Sequence, residues 1–369
     1  MTATTQPTPS FRQGLSNLIN EALSSINWLV VVLGTLTLAG VVVGVWRLFT
    51  GLGASTGLND GFAWGIWIGF DFTLIAFSGA GFTMAAVVHI LGLERFKPAM
   101  RPAIMAGFLG YIGVLALLVL DLGRPDRFYG FMINFNAHSP LFEICWCVLL
   151  YSMVLVVENT PPLLEGMGQS RWAHRVERLL APVVIFGVTL SSLHQSTLGT
   201  LYLLMPYRLH ELWYTPILPL QFFTSSVVAG LSIAIVTYKI ACKVRRTPAD
   251  LKVGAGLAKG AMWVALIVAA LRIGEVIYAG HLPQLLTSDP MSQLWRAEVA
   301  VGLLLPMLIF AIPSLRESSM GQWLGSLLFL GGVMLNRFSC TLFAQTGREG
   351  TAYLPSAIEW ISTIGVLAA

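Results

Sequence analysis

The chain has 369 residues, of which 56% are hydrophobic and only 11% are charged, and its formal net charge is +4. Because a soluble protein carries about a quarter of charged residues, this composition excludes a soluble globular domain and indicates a polytopic membrane protein. The small positive charge gives no sign of nucleic-acid binding. The four cysteines form neither an iron–sulfur pattern nor a disulfide framework.

Apolar stretches long enough to cross a bilayer, which takes about 20 residues, recur along the chain. Residues 1–26 are polar and are expected to form a cytoplasmic N-terminal segment rather than a cleavable signal peptide. Residues 27–369 are expected to form one all-α transmembrane domain of about ten helices. The predicted spans are 27–49, 64–91, 103–121, 140–157, 180–205, 217–240, 255–279, 298–312, 323–343 and a last helix from about 355, which is cut short at 369.

Lysine and arginine concentrate in the loops that follow even-numbered spans, and cytoplasmic loops carry an excess of these residues. The N-terminus and the even-numbered loops are therefore predicted to lie in the cytoplasm. Spans two to five (about 64–205) and spans six to nine (about 217–343) then both start on the outer side. This indicates two four-helix bundles that run the same way, with the other helices peripheral. Parallel repeats also occur in transporters.

The most informative stretch is 191–200, SSLHQSTLGT, inside span five. Ser191, His194 and Gln195 share one face of a helix, and Tyr202 returns to that face three turns after Ser191. Such side chains are costly in hydrocarbon unless they face protein, water or a ligand. They suit a polar seam between helices, and the titratable imidazole of His194 equally suits a functional site.

Acidic residues of the first bundle fall at the same depth as His194, in the outer half of the membrane. Asp71 lies two turns into span two, Asp121 ends span three, and Glu143 lies in the first turn of span four. Since Asp71, Glu143 and His194 each lack an obvious cation, we expect a functional pocket there. The alternative for this set is that its charges simply pair, Arg124 or Arg127 with Asp121 and Asp126.

The second bundle carries its own ionisable residues at the corresponding depth. Buried charges in proteins are usually paired. We therefore expect Arg272 or Arg337 to form ion pairs with Glu275 and Glu298.

Glu158 ends span four at the inner face, fifteen residues and about 22 Å beyond Glu143. Carboxylates near both ends of one helix suit a proton path, and they also suit two ordinary interfacial residues. His89 and His194 are the histidines within the predicted spans, and they lie at different depths, so they cannot ligate one haem iron. We expect no haem and no metal in this chain.

Five motifs follow one another in order and spacing, and together they resemble the polysulfide reductase/NrfD family of integral membrane subunits. The resemblance is strongest to the branch of hydrogenase-2 type "cytochrome b" subunits, which carry that name but bind no haem. It runs from about 27 to 355, and the sequence departs from that branch in lacking a complete tenth span. The motifs are Trp67-Ile68-Gly69-Phe70-Asp71, Asp121-Leu122-Gly123-Arg124-Pro125, His138-Ser139-Pro140-Leu141-Phe142-Glu143, Leu193-His194-Gln195-Ser196-Thr197-Leu198-Gly199 and Leu209-His210-Glu211-Leu212-Trp213-Tyr214.

The resemblance implies a subunit of the inner membrane that anchors a periplasmic iron–sulfur protein and exchanges electrons and protons with quinone, either menaquinone or ubiquinone. The expected complex is a [NiFe] hydrogenase, while a molybdenum reductase or a sulfur-cycle complex remains open. A further alternative is a secondary transporter, which would need a helix unwound at mid-membrane, near Pro306 or Pro313. The last alternative is a purely structural anchor.

The resemblance also implies a set of functional residues. A histidine and a carboxylate beside the quinone oxygens can serve as general acids. The positions that match the family's catalytic residues are Glu143, His194 and Glu158. The predicted quinone-binding residues are Asp71, Asp121, Arg124, Glu143, His194, Gln195 and Tyr202.

Overall fold

The computed structural model describes residue 16, residues 27–346 and residues 352–369, so most of the predicted N-terminal segment lies outside the described residues. Nine of the described helices are long and apolar enough to cross a membrane, and a shorter apolar helix follows them. The predicted all-α polytopic fold is therefore confirmed. The helices are α1 Trp28–Thr50, α2 Ile66–Ile90, α3 Lys97–Asp121, α4 Pro140–Gly166, α5 Ser170–Leu203, α6 Leu218–Val244, α7 Leu251–Tyr278, α8 Pro290–Ala311, α9 Ser319–Phe343 and α10 Ala357–Ala368.

Helices α4 and α5 are longer than the predicted spans, and the predicted bounds were wrong at these ends. α4 continues past residue 157 to Gly166, and α5 begins at Ser170 rather than at 180. Arg171 and Arg175, which were assigned to a loop, therefore lie on the first turns of α5. Hydropathy detects only the stretch that is apolar, whereas arginine and glutamate are good helix formers and extend a helix into water.

The described spans pack around a central pair of helices, α2 and α6. α2 packs along α3, α5 and α6, while α6 also packs against α5, α7 and α9. α4 completes the first group against α3 and α5, and α8 completes the second against α7 and α9. α1 and α10 pack on each other and against α2 and α3. The first group, α2–α5, and the second group, α6–α9, thus meet through α2 and α6.

Glycines allow close approach where α8 crosses α9. A Cβ atom at Gly332 would collide with the backbone of Gly302, its carbonyl oxygen above all. Two apolar helices in lipid gain little from the hydrophobic effect, so their association depends on such close packing. α8 takes a π turn over Ala300–Leu304 at this contact and continues as an α-helix through Pro306. None of the nine described spans is unwound at mid-membrane.

The second group encloses a network of charged and amide side chains. Arg272 of α7 forms a buried ion pair with Glu298 of α8. The Glu298 carboxylate also accepts hydrogen bonds from Asn336 Nδ2 at 2.8 Å and from Trp213 Nε1 at 3.1 Å. Arg337 of α9 donates to Asn336 Oδ1 at 2.6 Å. Of the expected ion pairs, the described residues form the one between Arg272 and Glu298. Glu275 forms no ion pair with a described residue.

Replacing Gly332 by alanine should force α8 and α9 apart and lower the thermal unfolding temperature of the purified protein. Overpacking of this kind costs about 1–3 kcal/mol. A Cβ atom at the neighbouring Gly331 would have no atom within 4 Å, so Gly331→Ala should be neutral or slightly stabilising, because alanine favours the helix. Equal unfolding temperatures for the two variants would contradict the close contact.

Replacing Glu298 by glutamine should destabilise the protein strongly. The change leaves a buried guanidinium without its carboxylate, and breaking one side of a buried ion pair costs about 3–5 kcal/mol. We expect little folded protein in membranes, measured by size-exclusion chromatography of a fluorescent fusion. Glu275→Gln, on the same helix as Arg272, is the matched control and should accumulate like the wild type. Loss of the Glu275 variant with survival of the Glu298 variant would refute the pairing.

Candidate functional site

His194 lies at the centre of the first group of helices and is fully buried. Its Nδ1 is 2.9 Å from the hydroxyl oxygen of Tyr111 on α3. The Tyr111 ring packs edge-on against Tyr151 of α4, with centroids 4.9 Å apart. Three helices therefore fix the orientation of the imidazole. Its other nitrogen, Nε2, is buried and has no protein partner among the described residues.

Glu143 is held by Thr197, which lies one helical turn after His194 on α5. Thr197 of α5 donates a hydrogen bond from its hydroxyl to Glu143 Oε1 at 2.6 Å. Three residues, about 4.5 Å of helix rise, separate Thr197 from His194. Glu143 lies in the first turn of α4, which Ser139 caps, and the partial positive charge of a helix N-terminus favours a carboxylate there. Glu143 forms no ion pair with a described residue.

Gln195 extends this polar face of α5 towards α2, and Ser191 lies one turn before it on the same face. The Gln195 amide donates to the carbonyl oxygen of Ile75 at 2.7 Å, which ties α5 to α2. Its own Oε1 and the Ser191 hydroxyl are buried without a hydrogen-bond partner in the described part of the chain. Residues 191–200 thus form part of a polar contact between helices, as the sequence predicts. Some of their polar atoms have no hydrogen-bond partner in the described part of the chain.

Asp71 and Tyr202 are buried towards the same end of the bundle. Asp71 of α2 is 2% exposed, and its Oδ1 has no partner among the described residues. The Tyr202 ring packs edge-on against Trp64 at 5.7 Å and lies 5.8 Å from Phe222 of α6. Its hydroxyl is also unpartnered within the residues described.

Buried polar atoms without partners are therefore concentrated in the first group. Leaving one such atom unsatisfied costs about 1–3 kcal/mol, and native proteins leave few of them. A ligand with hydrogen-bonding oxygens, or water, would satisfy several at once. These atoms and the polar residues hydrogen-bonded beside them on α2–α5 are called the first-group polar cluster; it comprises Asp71, Tyr111, Glu143, Tyr151, Ser191, His194, Gln195, Thr197 and Tyr202.

Asp121 ends α3 beside a second buried set that involves α1 and α10. Its Oδ1 is buried without a partner in the described residues. Arg47 of α1 is 1% exposed and donates to the carbonyl oxygen of Leu122 at 2.8 Å. Glu359 of α10 accepts hydrogen bonds from Tyr353 Oη at 2.6 Å and from the Gly57 amide at 2.9 Å.

Arg124 is not brought into the first-group polar cluster. Its side chain is 64% exposed and forms an ion pair with Asp126 at 2.8 Å. The hydrogen bonds from Arg124 lower the pKa of the Asp126 carboxyl. The expected partnership of Arg124 with Asp126 is therefore found, whereas Asp121 forms no ion pair with a described residue.

Glu158 lies at the opposite end of α4 from Glu143. There it lines a cavity of about 830 Å³ with residues of α2, α3, α5 and α6. A second cavity, of about 30 Å³, lies in the second group beside Arg272 and Glu298. Neither of these cavities is lined by Glu143 or His194.

Sequence reasoning did not single out Tyr111, Thr197, Arg47 or Glu359. Thr197 is one turn from His194, and Glu359 stands three residues after Ser356 in a capping-box pattern that is visible in the sequence. Tyr111 and Arg47 are single polar residues in apolar spans, so their importance depends on which helix they face. Among the described residues, no group of three or more His, Cys, Asp or Glu side chains is placed to hold a metal ion.

Several known proteins are similar to this chain in amino-acid sequence over most of its length. A protein of Nitratidesulfovibrio vulgaris (strain Hildenborough) is 36% identical over 324 residues, 85% of this chain and 83% of the relative. The probable Ni/Fe-hydrogenase 2 b-type cytochrome subunit of Escherichia coli (strain K12) is 30% identical, covering 92% of this chain and 88% of the relative. The menaquinone reductase integral membrane subunit of N. vulgaris is 29% identical, covering 87% and 83%.

The family comparison agrees with these relatives and with the helical architecture. The model of the family described as "Polysulphide reductase, NrfD" matches residues 54–346, which include every span from α2 to α9. The chain is therefore a multi-pass membrane protein that belongs to the NrfD polysulphide reductase family.

Proposed function

We propose that this chain is the quinone-reactive membrane subunit of a respiratory oxidoreductase, with the quinone headgroup beside Glu143 and His194. The main support is the first-group polar cluster, in which several buried atoms, His194 Nε2 and Asp71 Oδ1 among them, lack partners among the described residues. A quinone carries two carbonyl oxygens that can accept hydrogen bonds from such groups. The names of the relatives, a menaquinone reductase subunit and a hydrogenase subunit, support a redox role.

The side chains suit proton transfer at a quinone. Reduction of a quinone takes two electrons and two protons. His194 has a free Nε2, and its Nδ1 is held by Tyr111, so it can hold a proton at one carbonyl oxygen. Glu143, oriented by Thr197, can give or accept a proton at the other. General acid catalysis by such positioned groups contributes about 10²–10⁴-fold.

A lipid-soluble substrate has an apolar approach to this position. Leu141, two residues before Glu143, is 58% exposed, and Leu193, directly before His194, is 45% exposed. Glu143 itself is half-buried, while His194 is enclosed. We infer that a headgroup arriving from the bilayer meets Glu143 first and requires a shift of the packed side chains to reach His194.

Glu158 is proposed as a proton entry point at the other face of the membrane. It lies about 22 Å along α4 from Glu143, with the aromatic hydroxyl of Tyr151 between them in sequence. Glu158 lines the cavity of about 830 Å³ at that end. With the N-terminus in the cytoplasm of the inner membrane, protons would enter from the cytoplasm and reach a quinone near the periplasmic face.

The proposed partner is a periplasmic iron–sulfur subunit that connects to a [NiFe] hydrogenase. The hydrogenase-type relative supports this choice. A second candidate is the same role in a complex of the menaquinone reductase kind, which the other relative supports. The proteins that copurify with the chain in mild detergent decide between them, and an optical spectrum of the same sample tests the expectation that the chain holds no b-type haem.

The two carboxylates of α4 should respond differently to neutralisation. Glu143→Gln removes the proton donor at the headgroup, so quinone-linked activity of the assembled complex should fall by about 100-fold or more. Glu158→Gln should reduce it less, because water reaches that end by other routes, and a lower pH should partly restore it. Activity with a soluble dye should survive in both variants, because the dye takes electrons from the partner subunits.

Glu165→Gln is the matched control, since Glu165 lies on the same helix and is exposed. It should keep wild-type activity with both acceptors. If Glu143→Gln kept near wild-type quinone activity, the proposed role of Glu143 would be refuted. Small and equal losses in the Glu143 and Glu158 variants would identify both as interfacial residues without a proton role.

A further inference from the structure

The cavity of about 830 Å³ at the Glu158 end is not used by the proposed quinone chemistry except through Glu158 itself. It is lined by α3, α4, α5 and α6 and by the end of α2. Around it, α3 packs against α6 and α4 packs against α5. Its volume falls within the range of about 300–1,000 Å³ that is typical of ligand sites.

The charged side chains divide into two walls. Lys97 and Arg101 come from the start of α3, and Arg245 from the end of α6, so the cations lie on one pair of adjacent helices. Glu158 and Glu177 come from α4 and α5, the other adjacent pair. None of these five residues forms an ion pair in the described part of the chain. The cavity therefore has a basic wall and an acidic wall that do not neutralise each other.

The rest of the lining is apolar and reaches into the membrane. Leu109, eight residues after Arg101 on α3, lies about 12 Å deeper. Met105 and Leu109 are 46% and 57% exposed, and Ile240 of α6 is 47% exposed. Beyond its charged residues, the cavity is therefore lined by apolar side chains that also face the hydrocarbon of the bilayer. An amphipathic lipid requires this arrangement.

We propose that this cavity binds one phospholipid whose headgroup carries both a phosphate and a primary ammonium, the phosphatidylethanolamine class. The phosphate contacts the basic wall of Lys97, Arg101 and Arg245, and the ammonium donates hydrogen bonds to Glu158 and Glu177. The acyl chains follow Met105 and Leu109 along α3.

The two walls select this headgroup over its competitors. An anionic phosphatidylglycerol would satisfy the cations but would offer the carboxylates only neutral hydroxyls, which donate weaker hydrogen bonds than a charged ammonium does. A phosphatidylcholine carries a quaternary ammonium that has no N–H to donate. A quinone headgroup is uncharged and complements neither wall.

The test is native mass spectrometry of the intact complex, delipidated and then mixed with equal amounts of phosphatidylethanolamine, phosphatidylglycerol and phosphatidylcholine. The wild type should retain one phosphatidylethanolamine about two- to fivefold more often than either competitor, which is the preference that a surface ion pair between its ammonium and a carboxylate supplies. Arg101→Gln should lower retention of phosphatidylethanolamine and phosphatidylglycerol alike. Glu177→Gln should lower retention of phosphatidylethanolamine and raise that of phosphatidylglycerol.

The matched controls are Lys252→Gln and Glu165→Gln, which change exposed charges that do not line the cavity. Both should bind lipid as the wild type does. Preferential retention of phosphatidylglycerol, equal retention of the three lipids, or equal losses in the control variants would overturn the proposal. Because the readout is bound lipid in the complex, it is independent of quinone-linked activity.

Discussion

Hydrocarbon offers no hydrogen bonds, so each polar side chain inside the spans must find its partner within the protein or in a bound molecule. The two groups of helices meet this constraint in different ways. In the second group, Arg272, Glu298, Asn336 and Arg337 form a connected network around one carboxylate. In the first group, the Nε2 of His194 and several neighbouring oxygens remain without described partners. A ligand bound in the first group would therefore supply more of the missing hydrogen bonds than a ligand bound in the second.

This contrast suggests a division of roles between two similar halves. Each half places a glutamate on its third helix, yet Glu298 is locked in an ion pair while Glu143 only accepts a hydrogen bond from Thr197. Loss of the Glu298 carboxylate would leave a buried guanidinium without its partner, whereas Glu143 pairs with no described cation. The two groups pack on each other through α2 and α6.

Much of this arrangement could be predicted from the sequence because hydropathy and charge are local properties. The spans, the polar face of α5 and the pairing of charges in the second group all follow from residue types at known depths. The partner of His194 could not be predicted, because any tyrosine at that depth would serve until the packing of α3 against α5 is known. The long polar ends of α4 and α5 were missed since they lie beyond the apolar stretch. Arg124 shares a motif with Asp121 but pairs with Asp126, and spacing alone does not choose between these two acids.

The most direct test of the account is an experimental structure of the assembled complex in lipid with a quinone-site inhibitor added. The account predicts density for the inhibitor among α2–α5, in contact with Glu143 and within hydrogen-bonding distance of His194. Density for the inhibitor only among α6–α9, beside Arg272 and Glu298, would contradict it.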